Sequence, residues 1–270
     1  MLGVHTNYAS IVAQGAVNKS NNLLTNAMER LSTGLRINSA SDDAAGLQIA
    51  NRMNANVKGM ETASRNISDA TSMLQTADGA LEELTTIANR QKELATQASN
   101  GVNSSADLKA LNDEFTQLNA EITRIVDNTT YAGNNLFTDA TDGVLIKGVD
   151  FQIGAGAAET MNVKLGAISK AVTGDLTTDA TAAITAVDTF LAAVGTERST
   201  LGANINRLGH TASNLASVTE NTKAAAGRIM DADFAVESAN MTRNQLLVQA
   251  GTTVLASANQ NTGLVMGLLR

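Results

Sequence analysis

The sequence predicts a mainly α fold: a long antiparallel helical bundle or coiled coil with a small β-hairpin insert, its N- and C-terminal helices paired with each other. Three observations carry this. Apolar residues recur at alternating spacings of three and four through most of the 270 residues, the period of a packed helix seam. No Pro interrupts those runs, and with no Trp, five Phe and two Tyr the 43% apolar content is mostly small and aliphatic, suited to narrow seams between helices. Both ends are almost uncharged: residues 244–269 carry no formal charge, and residues 1–28 carry only Lys19.

The first helix is predicted over residues 6–33, with Val17, Leu24, Met28, Leu31 and Leu35 in its stripe and Gly34 as its stop. In RINSASDDAAG, Ser41 is the expected N-cap of the second helix, with Asp42 and Asp43 at the positive end of its dipole. That helix is expected to run to residue 100 through Val57, Met60, Ile67, Leu74, Leu81, Leu84, Gln91 and Ala98. Asn100 and Gly101 stop it, and Ser104 or Ser105 starts a third helix with Asp107 in its first turn. The seam Leu108, Leu111, Phe115, Leu118, Ile122, Ile125 then packs antiparallel on its predecessor, because the connection is short.

Beyond residue 128 the texture becomes Gly, Asn, Asp and Thr. Alternation in Phe151, Ile153 and in Met161, Val163, Leu165 predicts a hairpin turning over residues 154–159, followed by a loop or short strand over 166–179. Helical spacing returns from Val187 to Ile229, and a final helix starts near Asp233. This last helix has two apolar stripes: Leu247, Ala250, Val254, Ser257, Asn261, Leu264, Leu268, and, one residue on, Val248, Gly251, Leu255, Ala258, Thr262, Val265, Leu269. One partner helix covers only one of them. The predicted domains are an N-terminal helix over 1–42 pairing with 230–270, and a rod-like helical region over 43–229 that includes the β-rich insert at about 130–180.

Composition narrows the function. A net charge of −7 with no basic cluster argues against nucleic acid, and no segment reaches the length of a membrane span. Without Cys there are neither disulfides nor thiolate metal sites. The opening MLGVHTNYASIVAQG has no basic leader followed by an apolar run, so no ordinary secretory signal peptide is predicted. His5 and His210 lack neighbouring carboxylates at ligand spacing, and GAGAA at 154–158 reads as a hairpin turn rather than a phosphate loop. The acidic pairs Asp42 and Asp43, and Asp231 and Asp233, are placed for helix starts rather than catalysis. No catalytic, metal or cofactor site is predicted.

Two stretches carry a resemblance. NKSNNLLTNAMERLSTGLRINSASDDAAGLQIANRM, residues 18–53, resembles the N-terminal signature of bacterial flagellins, and TENTKAAAGRIMDADFAVESANMTRNQLLVQAGTTVLASANQNTGLVMGLLR, residues 219–270, is similar to the C-terminal one. Together with the long helices the likeness covers most of the chain, leaving about 143–180 as the variable part, too short for large outer domains. The resemblance implies a structural subunit, not an enzyme, that is exported unfolded through the flagellar type III channel and self-assembles into the extracellular filament used for motility. Its polymerisation helices would include Leu24, Met28, Leu31, Leu247, Val254, Leu255, Leu264 and Leu268. The implied partners are other copies of the chain, an export chaperone on the C-terminal helix, and the filament cap and hook-associated proteins. The alternative within the same apparatus is a hook-filament junction protein. NRQKELATQ, residues 89–97, further resembles the patch read by the host Toll-like receptor for flagellin, with Arg90, Glu93, Leu94 and Gln97 at matching positions and Glu114 on the next helix. As bare chemistry, Arg90 and Glu93 fit a solvated helical face equally well.

Overall fold

A computed structural model describes residues 6–138 and 143–268, with side chains up to residue 260. Six helices and two small strand pairs occur among them: α1 (Tyr8–Thr33), α2 (Ala44–Ala98), α3 (Ser105–Asn128), β1 (Thr130–Tyr131), β2 (Asn134–Asn135), α4 (Val144–Lys147), β3 (Val149–Gln152), β4 (Thr160–Val163), α5 (Ala180–Met230) and α6 (Phe234–Leu268). By compactness the chain divides into two units, Met1–Ala55 with Asn221–Arg270, and Asn56–Glu220, the division falling within α2 and α5.

In the unit formed by residues 56–220, α2, α3 and α5 share one core. Val57, Met60, Ile67, Leu74, Leu81, Leu84 and Ala95 from α2 meet Phe115, Ile122 and Val126 from α3 and Val187, Val194, Leu201 and Leu208 from α5. The three/four spacing read from the sequence is the buried face in each case. Both neighbours of α2 run antiparallel to it: Gln97 meets Asn103 at the link into α3 and Arg90 meets Glu114 further along it, while Lys92 and Asp78 pair with Asp188 and Arg198 on α5. The short link into α3 is set by a capping box, in which Ser104 Oγ accepts from the Asp107 amide and Asp107 accepts from the Ser104 amide, satisfying two end groups at once.

The hairpin lies where the alternation placed it. β3 and β4 pair antiparallel from Val149–Val163 to Gln152–Thr160, and the Ile153 amide closes the turn on the Glu159 carbonyl. Met161 and Val163 turn into the core. The loop over 166–179 forms no strand; its Ile168, Val172 and Leu176 are buried, and its backbone is held by α3 side chains. The Asn119 amide both donates to the Val172 carbonyl and accepts from the Val172 amide, each at 2.9 Å, while Thr123 donates to the Lys170 carbonyl and Asn112 accepts from the Leu176 amide. These bonds replace the sheet ladder that an extended segment otherwise requires.

Two elements exceed the sequence reading. β1 and β2 form a two-residue hairpin about Ala132 and Gly133, both at positive φ (49° and 82°), and α4 is a single turn burying Leu145 and Ile146. The start of α2 also differs from expectation. Asp43, not Ser41, caps it, accepting from the Gly46 amide at 2.8 Å; Asp42 instead accepts from the Asn38 and Ser39 amides and closes the preceding turn. A carboxylate one residue from the helix reaches the third amide, whereas Ser41 lies too far upstream. No described helix is long and apolar enough to cross a membrane.

Candidate assembly interface

In the unit formed by 1–55 and 221–270, α1 and α6 pair antiparallel. Their Cα atoms approach within 8 Å over an extended length. One end is tied by backbone: Leu35 bridges Asp231, the Arg36 amide donates to the Met230 carbonyl and the Ala232 amide to the Gly34 carbonyl. Asp233 then caps α6, accepting from the Ala235 and Val236 amides. At the other end Asn7 donates to the Ala258 carbonyl and Ser10 to the Asn259 side chain.

Between these ties the seam follows heptads. Ala13, Val17, Ser20, Leu24, Ala27 and Leu31 on α1 are buried or half-buried, as are Glu237, Met241, Asn244, Val248, Gly251, Leu255 and Ala258 on α6. Val17 and Gly251 are in direct contact, which fixes the phase of the rest. The seam is not wholly apolar. Glu237, 8% exposed, accepts from Arg30 Nη1 at 3.0 Å, so the carboxylate withdrawn from water retains a charged donor. Small residues at Ala27, Gly251 and Ala258 account for the close approach of the backbones.

The predicted polymerisation residues therefore separate into two groups. Leu24, Leu31 and Leu255 lie in the seam within the chain. Met28 (47% exposed), Leu247 (49%) and Val254 (57%) do not. The spacing places Met28 in the α1 stripe with Leu24 and Leu31, but Ala27, 3% exposed, takes that place, because the buried face steps from Leu24 to Ala27 to Leu31 and position 28 lies about 100° further round the helix. The side chains of Leu264 and Leu268 lie outside the described residues. Apart from Ile49, Val102 and Val218, every exposed large apolar side chain among the described residues is on α1 or α6: Tyr8, Ile11, Val12, Leu23, Met28, Phe234, Val236, Leu246, Leu247 and Val254. So much apolar surface on one paired-helix unit marks a contact surface.

The second candidate surface is on α2. Arg90 donates through Nε and Nη2 to Glu114 Oε1 at 2.9 and 2.8 Å, and through Nη1 to Glu93 at 3.0 Å. The hydrogen bond to Glu114, then that to Glu93, raises the Arg90 pKa above its ordinary value. Arg90, Glu93, Gln97 and Glu114 are exposed, but Leu94 is 1% exposed and belongs to the core. Asn89, Lys92, Glu93, Thr96, Gln97 and Asn100 line a shallow surface depression beside them. His210 is exposed, His5 lies outside the described residues, and among the described residues no three His, Cys, Asp or Glu gather as a metal site. Gly154 and Gly156 sit in the hairpin turn, where Gln152 Nε2 donates to both carbonyls.

Comparison with known proteins decides what the paired termini belong to. Residues 4–142 match the bacterial flagellin N-terminal helical region, and residues 184–269 match the bacterial flagellin C-terminal helical region. The chain belongs to the bacterial flagellin family. A flagellin of Halalkalibacterium halodurans is 46% identical over 252 residues, covering 90% of this chain and 91% of the relative. The flagellar filament 33 kDa core protein of Treponema phagedenis is 34% identical over 284 residues, with 99% of each chain covered. Among solved structures, the crystal structure of Bacillus cereus flagellin is 34% identical with a TM-score of 0.50, covering 56% of this chain and 88% of that one. The family is structural, and its helical core with a small β insert is the architecture found here.

Proposed function

We propose that the chain serves as a structural subunit of the extracellular bacterial flagellar filament, held to its neighbours by the face of the α1·α6 pair that the fold leaves bare. The observation that carries this is the phase of α6. Val248, Gly251 and Leu255 are used within the chain, whereas Leu247 and Val254, one residue earlier and about 100° round the helix, stay exposed. Residues 1–42 and 230–270 form the inner-tube part in this reading, and 43–229 a rod-like helical part. Tyr8, Ile11, Val12 and Met28 supply the complementary surface on α1.

Finer expectations follow from family membership. The chain leaves the cell unfolded through the type III channel, with an export chaperone holding α6, and meets the filament cap and hook-associated proteins at the filament ends. Arg90, Glu93, Gln97 and Glu114 form the surface offered to the host Toll-like receptor for flagellin, with Leu94 supporting it from beneath. Ordering of the terminal helices accompanies polymerisation, because their bare apolar face is covered only by neighbours and helix ordering costs about 1 to 2 kcal/mol per residue.

Seeded elongation followed by electron microscopy tests the reading. Wild-type protein is expected to extend seeds into long filaments, while Val254→Glu and Leu255→Glu both stop growth and leave the central helices folded by circular dichroism. Failure of the wild type to elongate seeds would move the chain to a hook-filament junction role. Terminal amides as protected from hydrogen exchange in the monomer as in the filament would refute ordering on assembly.

A further inference from the structure

α6 presents α1 with two apolar stripes of similar composition, Leu247, Ala250, Val254 and Ser257 against Val248, Gly251, Leu255 and Ala258. Hydrophobicity alone does not choose between them. Size does. A Cβ built on Gly251 would lie 2.5 Å from Val17 Cγ2, closer than real contacts allow, and the backbone around Gly251 comes near enough that the same Cβ would be 3.8 Å from Val17 Cβ. Valine is branched at Cβ and stiff in a helix, so moving Val17 aside means leaving its one strongly preferred rotamer. Every position of the other stripe carries a Cβ, so rotating α6 by one residue would put a side chain where Val17 needs a gap. Glu237 stands fourteen residues before Gly251, two heptads along the same face, and its pairing with Arg30 holds the axial register from the far end of the seam.

We propose that Val17 and Gly251 form a size-complementary socket that determines which stripe of α6 is sequestered within the chain and which is left for neighbouring subunits. The inference rests on the assembly reading above and adds the residues that give it specificity. Gly251 has a cost as a helical residue, since glycine is a poorer helix former than alanine, and the socket explains its place in the middle of α6.

Seeded elongation by full-length chains separates the socket from helix propensity. Gly251→Ala is expected to lower the elongation rate at least tenfold, although alanine favours the helix. Gly209→Ala, at an exposed α5 glycine outside the α1·α6 pair with nothing within 4 Å of a built Cβ, is expected to elongate at the wild-type rate or faster. Val17→Ala in the Gly251→Ala background removes Cγ2 and leaves an ordinary 3.8 Å approach between β-carbons, so the double variant should elongate within about threefold of Val17→Ala alone. Circular dichroism of each monomer confirms that the central helices are folded. Wild-type elongation by Gly251→Ala, or no rescue by Val17→Ala, overturns the socket while leaving the filament role intact; a wild type that does not elongate removes the filament role itself.

Discussion

Arg198 of α5 donates from Nε to Asp78 of α2 at 2.9 Å, and its Nη2 lies 3.4 Å from Glu82, one turn further along the same helix. Residues 120 apart in sequence are thereby tied across the flank of the central core, and the hydrogen bond to Asp78 raises the Arg198 pKa above its ordinary value. The fork of the guanidinium spans two carboxylates that a lysine would reach only one at a time. Arg198→Ala is expected to destabilise the central helices by about 1 kcal/mol and Arg198→Lys by roughly half that, read from the midpoint of denaturant unfolding followed at 222 nm.

The pairing of Asn119 with both backbone groups of Val172 predicts a larger effect. Asn119→Ala leaves a donor and an acceptor of a part-buried loop without partners, at a cost of about 1 to 3 kcal/mol. Hydrogen exchange should locate the change: amides over 166–179 lose protection first, while those at the middle of α2 keep theirs.

Acid should act on the helix starts. Asp107 is held below its ordinary pKa first by the Ser104 hydroxyl and then by the Ser104 amide, and Asp42 by the Ser39 and Asn38 amides. A depressed folded pKa gives stability that is complete above the unfolded carboxylate value, about 3.9, and that disappears as pH falls through the folded one. Helicity near α3 should therefore be flat from pH 7 to about pH 5 and decline below about pH 4. Asp107→Asn, which cannot titrate, should remove part of that decline in a pH titration followed by circular dichroism.

Leu94 and Gln97, three residues apart on α2, separate packing from the proposed recognition. Leu94→Ala opens a cavity in the core and should cost about 2 to 5 kcal/mol in unfolding experiments. Gln97→Ala and Glu93→Ala should leave stability within about 0.5 kcal/mol. Loss of receptor binding by the surface variants with unchanged melting would establish the patch; loss by Leu94→Ala alone would be a packing effect.

The central helices were legible because a single apolar stripe per helix leaves no ambiguity: the residues spaced from Val57 to Ala98 and from Val187 to Leu215 are those that the core buries. Ser104 and Asp107 announced α3 because a capping box is a local device. Met28 illustrates the opposite case. Where a helix is apolar on more than one side, the partner helix decides which residue is inside, and the seam with α6 takes Ala27 and leaves Met28 out. Nor does the sequence advertise the Ala132–Gly133 turn, since alanine at positive φ is uncommon, or the clamp by Asn112, Asn119 and Thr123, whose partners are backbone groups of a distant loop. Glu237 was invisible for a related reason: a lone acid at the start of a helix reads as a dipole partner until Arg30 is seen beside it.

The hairpin closes itself before its tip begins. Ile153 already donates to Glu159, and Asn162 reaches across to Asp150, so the ends of the turn are held together whatever lies between them. Lengthening a loop whose ends are fixed costs little, about 0.6 kcal/mol for each doubling. Ala155 rests on Gly59 of α2 and Gly154 is buried, so the port for foreign sequence is the exposed far side of the tip, between residues 157 and 158, and a chain this short is suited to carry cargo peptides there in many regularly spaced copies on one polymer.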